Sequence, residues 1–213
     1  MNIILFGAPG AGKSTQSQHL VQKYNYTQVS TGDLLRNEIK KKSDLGIKIN
    51  KIIKDGVFVD DEIVNSLISQ FIENKKNNNK IIFDGYPRNI TQAKNLDNIL
   101  SSNNQSIRAI IYLDVSRKII EKRILGRVVC EKCNATLNQY LDFKEIQNHK
   151  CGKKYLKKRN DDNFKTIMKR YDTFIKETNP LLEYYSNKPF FFKVDASLKI
   201  DEITTKIKEI VNV

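Results

Sequence analysis

The eight residues from Gly7 to Ser14 follow the spacing G-x-x-x-x-G-K-[ST], a pattern typical of loops that bind phosphate. Glycines let such a loop turn so that backbone N–H groups point inward, and the lysine adds a full positive charge. The residues that would contact nucleotide phosphates, or their metal ion, are Gly10, Ala11, Gly12, Lys13, Ser14 and Thr15. The alternative is a glycine-rich turn without a ligand. The loop alone does not distinguish a GTPase, a motor and a kinase.

Further motifs combine arginine with glycine or carboxylates, and they occupy residues 30–36, 84–88, 126–127, 159–162 and 170. Arginine suits phosphate because its planar group donates two parallel hydrogen bonds to phosphate oxygens. A GTPase or motor needs a device that positions water, and the sequence contains no N-K-x-D signature for guanine. Transfer between two bound nucleotides needs positive charge around the moving group, which these arginines would supply. Each arginine could instead be a solvated surface charge, and Asp84, like Asp114 and Asp195, could simply end a strand.

The elements that would position these motifs are indicated by apolar runs. Five short runs predict strands at 2–6, 27–29, 80–84, 109–114 and 190–195. Helices are predicted over 13–23 and 200–211, and another helix, capped by Ser30 or Thr31, would start near Asp33. Apolar strands that alternate with helices predict an α/β, doubly wound fold with a parallel sheet of about five strands. Residues 126–162 break this rhythm and predict a small insertion with its own fold.

Together these motifs resemble the nucleoside monophosphate kinase family, and the long-lid adenylate kinases most closely, over essentially the whole chain. The resemblance implies a P-loop kinase that reversibly transfers the γ-phosphate of ATP to AMP, giving two ADP, in a closed cleft that excludes water. It also implies three parts. These are a core of residues 1–29, 60–125 and 163–213, an AMP-binding helical segment of residues 30–59, and a lid of residues 126–162.

The resemblance implies a role for each motif residue. Those implied to act on the transferred phosphoryl group are Lys13, Arg88, Arg123, Arg127, Arg159 and Arg170. Those implied to bind AMP are Thr31, Arg36, Val57, Val59, Gly85, Arg88, Gln92, Arg159 and Arg170. ATP would contact the phosphate loop together with Arg123, which could stack on the base, and Arg127. Asp33 and Asp84 would hold Mg²⁺ through water, and Asp161 and Asp162 would orient the lid.

Long lids with four metal ligands occur in this family, and these ligands are usually arranged as C-x-x-C followed by C-x-x-C or C-x-x-D. Here Cys130 and Cys133 form the first pair, but Asn148 stands where a partner of Cys151 belongs. We expect His149 to replace that partner, so that a structural zinc site would comprise Cys130, Cys133, His149 and Cys151. The alternative is a degenerate lid with three reduced cysteines. Residues 134–138 also replace the family's usual G-x-x-Y-H, which leaves the contacts to the donor base open.

The chain of 213 residues carries 37 basic and 24 acidic side chains, and the net charge of +13 favours anionic partners. We expect ATP, AMP and ADP rather than nucleic acid, although a nucleic-acid-binding zinc ribbon would also suit this charge. The sequence leaves open a kinase of UMP or CMP, although those generally carry a short lid, and a relative that uses GTP. No apolar run reaches the length of a membrane span and no secretory signal is evident. We therefore expect a cytoplasmic enzyme without a membrane partner. We also expect a monomer.

Overall fold

The computed structural model describes residues 2–55, 57–74, 80–158 and 163–212. The strands are β1 (Asn2–Phe6), β2 (Thr27–Ser30), β3 (Ile81–Asp84), β4 (Ile107–Asp114), β5 (Arg127–Cys130), β6 (Thr136–Asn138), β7 (Leu156–Lys157) and β8 (Phe191–Asp195). The α-helices are α1 (Lys13–Tyr24), α2 (Thr31–Lys40), α3 (Asp44–Lys54), α4 (Asp61–Glu73), α5 (Ile90–Ser102), α6 (Arg117–Leu125), α7 (Phe143–Gln147), α8 (Phe164–Ser186) and α9 (Ile200–Val211). A search of these residues finds no helix with the length and apolar character needed to cross a membrane.

Five strands form a parallel sheet in the order β2-β3-β1-β4-β8, which confirms the predicted α/β class and all five predicted strands. Strand β4 begins two residues earlier than predicted, because Ile107 already pairs with Asn2 of β1. Helix α9 has the predicted bounds. Helix α2 begins at Thr31 rather than near Asp33, because Ser30 is its N-cap and accepts a hydrogen bond from the Asp33 backbone N–H at 3.4 Å.

The central strand β1 is buried along its whole length and supplies side chains to both faces of the sheet. Ile4 and Phe6 pack into a cluster with helices α4, α5 and α8, whereas Ile3 and Leu5 pack with α1 and α9. Burying one such side chain contributes about 1.5–3 kcal/mol relative to its exposed state. The doubly wound core therefore fixes the strand ends, and the carboxyl ends of β1, β2 and β3 meet at the edge where such sheets bind ligands.

The insertion predicted at 126–162 contains an antiparallel sheet in the order β6-β5-β7, together with the short helix α7. Among its described residues, the buried ones are Gly126, Cys130 and Ile146. This small apolar core contrasts with the fully buried central strand of the large sheet. Helices α2 and α3 lie within the segment predicted to bind AMP, and the boundaries of the three predicted parts stay a prediction.

Candidate functional site

A cavity of about 460 Å³ opens at the carboxyl ends of β1, β2 and β3. Its wall combines the phosphate loop, the start of α2, the turn between β3 and α5, and the lid sheet. The predicted site residues that line it are Gly10, Ala11, Gly12, Lys13, Ser14, Thr15, Thr31, Arg36, Val57, Val59, Asp84, Gly85, Arg88, Arg123, Arg127 and Arg170. Asp33 and Gln92 are not among the lining residues. Arg159, Asp161 and Asp162 lie outside the described residues.

The phosphate loop packs against the rest of the core through its glycines. Gly10 has a φ of +83°, and a Cβ there would lie 2.6 Å from the Ile124 Cγ1 atom of helix α6. A Cβ on Gly7 would lie 3.0 Å from the Leu113 carbonyl oxygen of β4. Side chains at these two positions would therefore force the loop away from α6 and β4.

Lys13 begins helix α1, and its ammonium group folds back over the loop. The Nζ atom donates hydrogen bonds to the carbonyl oxygens of Gly7 at 2.7 Å and Ala8 at 3.1 Å. Burial lowers the pKa of Lys13 to about 8, although Asp84 opposes this shift. Further lowering of this pKa comes from the positive charges of Arg88, Arg170 and Arg127. The cations predicted to surround the transferred group thus act on one another electrostatically.

Asp84 ends strand β3 and is almost fully buried beside the phosphate loop. Its Oδ2 atom accepts hydrogen bonds from Ser14 Oγ at 3.0 Å and from Gln28 Nε2 at 2.9 Å. A carboxylate next to a loop hydroxyl offers the hard oxygen donors that suit Mg²⁺. Asp33, the other residue predicted for this metal, is exposed, and its Oδ1 atom pairs with Arg36 Nη2 at 2.6 Å.

Arg88 follows β3 and is fixed by three partners. Its Nε atom donates to the Gly85 carbonyl oxygen at 2.9 Å, and its Nη2 atom donates to Thr31 Oγ1 at 3.2 Å. The Cζ atom lies 4.4 Å from the centre of the Phe58 ring, a distance that allows a cation–π contact. Burial and the charge of Arg170 lower the pKa of Arg88 to about 10. The sequence-based assignment named Val57 and Val59 for AMP but gave no role to the side chain of Phe58, which lies between them in the sequence.

Gln92 lies in the first turn of α5, behind Arg88, and its side chain is buried. Its Oε1 atom accepts a hydrogen bond from the Arg88 backbone N–H at 2.8 Å, and its Nε2 atom donates to Asp61 Oδ1 at 2.6 Å. Sequence reasoning also missed Asp61. The sequence does show three consecutive acidic residues at 60–62. Such a run indicates a helix N-terminus, but it does not indicate which side chain Asp61 contacts.

On the opposite wall, Arg123 of helix α6 reaches two backbone carbonyl groups of the core. Its Nη1 atom donates to the Ala11 oxygen at 3.3 Å and its Nη2 atom to the Ala196 oxygen at 2.8 Å. Burial lowers the pKa of this guanidinium. The Arg123 carbonyl oxygen in turn accepts a hydrogen bond from Asn138 Nδ2 of the lid at 3.0 Å. Residues 136–138, where the sequence departs from the family pattern, therefore do line the cleft.

The lid brings together the four predicted metal ligands. The ligand atoms of Cys130, Cys133, His149 and Cys151 all lie within 4.8 Å of one another, which confirms the predicted grouping. The distance from Cys133 Sγ to His149 Nε2 is 3.6 Å. Tetrahedral zinc bonds of about 2.3 Å to sulfur and 2.05 Å to nitrogen would separate two such atoms by about 3.6 Å. The donor set and its spacing therefore fit zinc.

Comparison with known proteins agrees with this geometry. A model of the adenylate kinase family matches residues 5–190 of the chain. An adenylate kinase of Pelagibacter ubique (strain HTCC1062) is 55% identical over 213 residues, which is the whole of both chains. An adenylate kinase of Mycoplasma capricolum subsp. capricolum is 41% identical over 211 residues and 98% of each chain. The family match and these full-length relatives show that the chain belongs to the adenylate kinase family.

Proposed function

We propose that this chain is an ATP:AMP phosphotransferase whose single cleft holds the two nucleotides end to end, so that the γ-phosphate of ATP passes to AMP and two ADP result. The observation that carries the proposal is that the phosphate loop and a second basic pocket, around Arg36 and Arg88, line the same cavity. An enzyme that hydrolyses one nucleotide needs the loop and a positioned water, but it has no need of the second pocket.

ATP binds at the phosphate loop. Residues 10–15 and the N-terminus of α1 hold its β- and γ-phosphates, because backbone N–H groups and the helix dipole favour negative charge there. Lys13 adds its own charge. Arg123 contacts the base of ATP: its edge donates to the carbonyl oxygens of Ala11 and Ala196, which leaves the flat guanidinium faces available for stacking.

AMP binds in the second pocket. Arg36 and Arg88 hold its phosphate, and Gln92 reads the edge of its adenine. The remaining residues assigned to AMP are Thr31, Val57, Val59, Gly85, Arg159 and Arg170. The three partners of Arg88 support the assignment, because a guanidinium fixed before binding has little conformational entropy left to lose.

Transfer rests on positioning and on the charge of the groups that surround the moving phosphoryl. Lys13, Arg88 and Arg170 stabilise the negative charge that spreads over its oxygens, and no general base is required. Arg123, Arg127 and Arg159 complete the group. Asp84, with Ser14, would hold Mg²⁺ through water. The same role is proposed for Asp33, which in this structure pairs with Arg36 and does not line the cavity. When bound, the metal neutralises charge on the phosphates.

Water must be kept from the γ-phosphate until AMP is present. Residues 30–59 and 126–162 form the AMP-binding segment and the lid, and both contribute to the wall of the cavity. Their closure over the two substrates excludes water and completes the cluster of cations. In the lid, Asp161 and Asp162 orient the arginines.

The lid holds a structural zinc ion through Cys130, Cys133, His149 and Cys151. Burial opposes ionisation of Cys130, but hydrogen bonds from the Cys133 backbone N–H, the His149 ring and the Lys132 backbone N–H lower the pKa of its thiol to about 6. A bound zinc ion would cross-link the β5–β6 turn to the segment that follows α7. This cross-link would stabilise the lid, whose described residues include few buried apolar side chains.

The enzyme is a cytoplasmic monomer that takes ATP, AMP and ADP and has neither nucleic acid nor membrane as a partner. The net charge of +13 attracts the four phosphate groups of ATP and AMP and so steers both nucleotides to the cleft. Sedimentation of the purified chain alone tests the monomer, because a particle larger than one chain would contradict it. Sedimentation with duplex DNA at physiological salt tests nucleic-acid binding, because a larger particle would then contain DNA.

A coupled assay that pairs ATP or GTP with AMP, UMP, CMP and GMP tests the function. We expect the highest kcat/KM with ATP and AMP. We also expect little phosphate release from ATP when no acceptor is added, because transfer requires the second nucleotide. Equal cleavage of ATP with and without AMP would identify a hydrolase, and a preference for UMP or CMP would reassign the acceptor.

A further inference from the structure

Asp61, the first residue of helix α4, contacts two side-chain amides from the start of helix α5. Its Oδ1 atom accepts a hydrogen bond from Gln92 Nε2 at 2.6 Å. Asn89 Nδ2 donates to Asp61 Oδ1 at 3.2 Å and to Oδ2 at 2.9 Å. The Oε1 atom of the Gln92 carboxamide accepts a hydrogen bond from the Arg88 backbone N–H at 2.8 Å. Gln92 is 2% exposed, so these contacts are made away from water.

The two partners of Gln92 each have a single hydrogen-bonding role. The carboxylate of Asp61 only accepts, and the backbone N–H of Arg88 only donates. If the Gln92 amide rotated by half a turn, its oxygen would face the carboxylate and its NH₂ group would face an N–H group. Both contacts would then be repulsive in a buried place, where unpaired polar groups are most costly. The amide is therefore fixed in one orientation.

A carboxamide has two N–H groups and two oxygen lone pairs. In the described part of the chain, the hydrogen-bond partners of the Gln92 amide use one of each. One N–H group and one lone pair are left, in an order set by the fixed orientation. Adenine presents an amino donor next to the ring acceptor N1, and a carboxamide can pair with both. Hypoxanthine, the base of IMP, presents the reverse order, a carbonyl acceptor next to an N–H donor.

We propose that Asp61 is a positioning residue that sets base discrimination at the acceptor site by locking the Gln92 amide. The inference rests on the proposed function, in which the base of AMP reaches Gln92, a residue that is buried and does not line the cavity in this structure. A glutamine that could rotate would pair with either base, because its rotation reverses the order of donor and acceptor. The base itself cannot turn over instead, since the phosphate of the same nucleotide is held at Arg88.

The test is the ratio of kcat/KM for AMP to kcat/KM for IMP, with ATP as donor. Asp61→Asn keeps the shape of the side chain but can present an NH₂ group to a rotated Gln92. We expect this variant to lower the ratio by roughly tenfold, the size of one well-made pairing with a base edge. The Arg88 backbone N–H still favours the original orientation, so some discrimination is retained.

Asp60→Asn is the matched control. Asp60 is the N-cap residue of α4, so this substitution removes the same charge from the same end of the helix. The exposed Asp60 carboxylate, however, contacts Lys48 at 3.5 Å and has no contact with Gln92 among the described residues. We expect the wild-type ratio in this variant. Asp61→Glu, which keeps a group that only accepts, should restore most of the ratio. Asp61→Ser, whose hydroxyl both donates and accepts, repeats the test if Asp61→Asn does not fold.

Each outcome decides the inference. A lower ratio in Asp61→Asn or Asp61→Ser with an unchanged ratio in Asp60→Asn supports it. Parallel losses for AMP and IMP, or a fall in thermal stability with the ratio unchanged, would overturn it and leave Asp61 as a structural residue. Failure of the proposed function has a different signature, because the wild-type chain itself would then not transfer phosphate to AMP.

Discussion

The acceptor pocket and the lid hold their functional groups in different ways. Arg88 is fixed by a carbonyl oxygen, a hydroxyl and an aromatic ring. Two of these partners, Gly85 and Thr31, directly follow strands of the sheet whose central strand is fully buried. Few of the described lid residues are buried, but four potential ligand atoms of the lid lie within 4.8 Å of one another. Apolar burial therefore orders the acceptor pocket, whereas a metal ion would order the lid. The two regions should fail separately when each source of order is removed.

The largest effect is expected on the acceptor side. Arg88→Ala should lower kcat by roughly 10³-fold and raise the KM for AMP, because in the proposed mechanism the variant loses an arginine at the transferred phosphoryl group. Steady-state kinetics measures both constants, and circular dichroism should find the fold and the lid intact. Arg108→Ala removes an exposed arginine from β4 and should retain the wild-type rate. A near-normal rate in Arg88→Ala would contradict its assignment.

Chelation should affect the lid alone. We expect one zinc ion per chain by elemental analysis. After its removal, we expect amide hydrogen exchange in β5 and β6 to rise by roughly 100-fold while exchange in β1 is unchanged. His149→Ala should reproduce this result, and replacement of His19, the chain's other histidine, should not. The zinc proposal would be wrong if the purified protein contained no zinc and chelators did not change amide hydrogen exchange in the lid. The three cysteines would then simply be reduced residues.

The pH dependence of Lys13, in the phosphate loop of the core, separates activity from stability. With the pKa of Lys13 at about 8, kcat/KM for ATP should fall about tenfold per pH unit above that value, because the free enzyme loses the charge that binds phosphate. The unfolded chain keeps this proton up to about pH 10.5, so the folded state should gain stability across the same interval. Rate profiles and denaturant unfolding from pH 7 to 10 measure the two trends. A flat kcat/KM would show that Lys13 stays charged.

The smallest effect concerns the helix that connects the acceptor pocket to β2. Ser30→Ala removes the N-cap of α2 and should lower the free energy of unfolding by about 1 kcal/mol. It should raise the KM for AMP slightly, since α2 carries Thr31 and Arg36. Ser106→Ala, at an exposed position before β4, is the control for denaturant unfolding. A loss of several kcal/mol would mean that Ser30 has a larger structural role than capping.

Local patterns in the sequence were sufficient for the phosphate loop, the five parallel strands and helix α9, because each is specified by neighbouring residues. The contacts that sequence reasoning missed join distant segments. Phe58 lies against Arg88, Asp61 bonds a glutamine 31 residues away, and Arg123 reaches Ala196. Such pairs depend on how elements pack, which periodicity does not specify. The grouping of the four lid ligands was predictable from the family pattern. Asn148 occupies the position of the fourth ligand, and the adjacent residue, His149, can bind zinc.

The anchors of Arg123 have a consequence for how this protein can change over generations. Both of them are peptide oxygens, which every amino acid supplies, so replacing Ala11 or Ala196 by another small residue would leave the anchors in place. Thr31, by contrast, holds Arg88 through a hydroxyl that most substitutions would delete. On the proposed assignment, the wall around Arg123 faces ATP and can accept mutations that the proposed AMP pocket cannot, so engineered variants with a new donor should be sought there first.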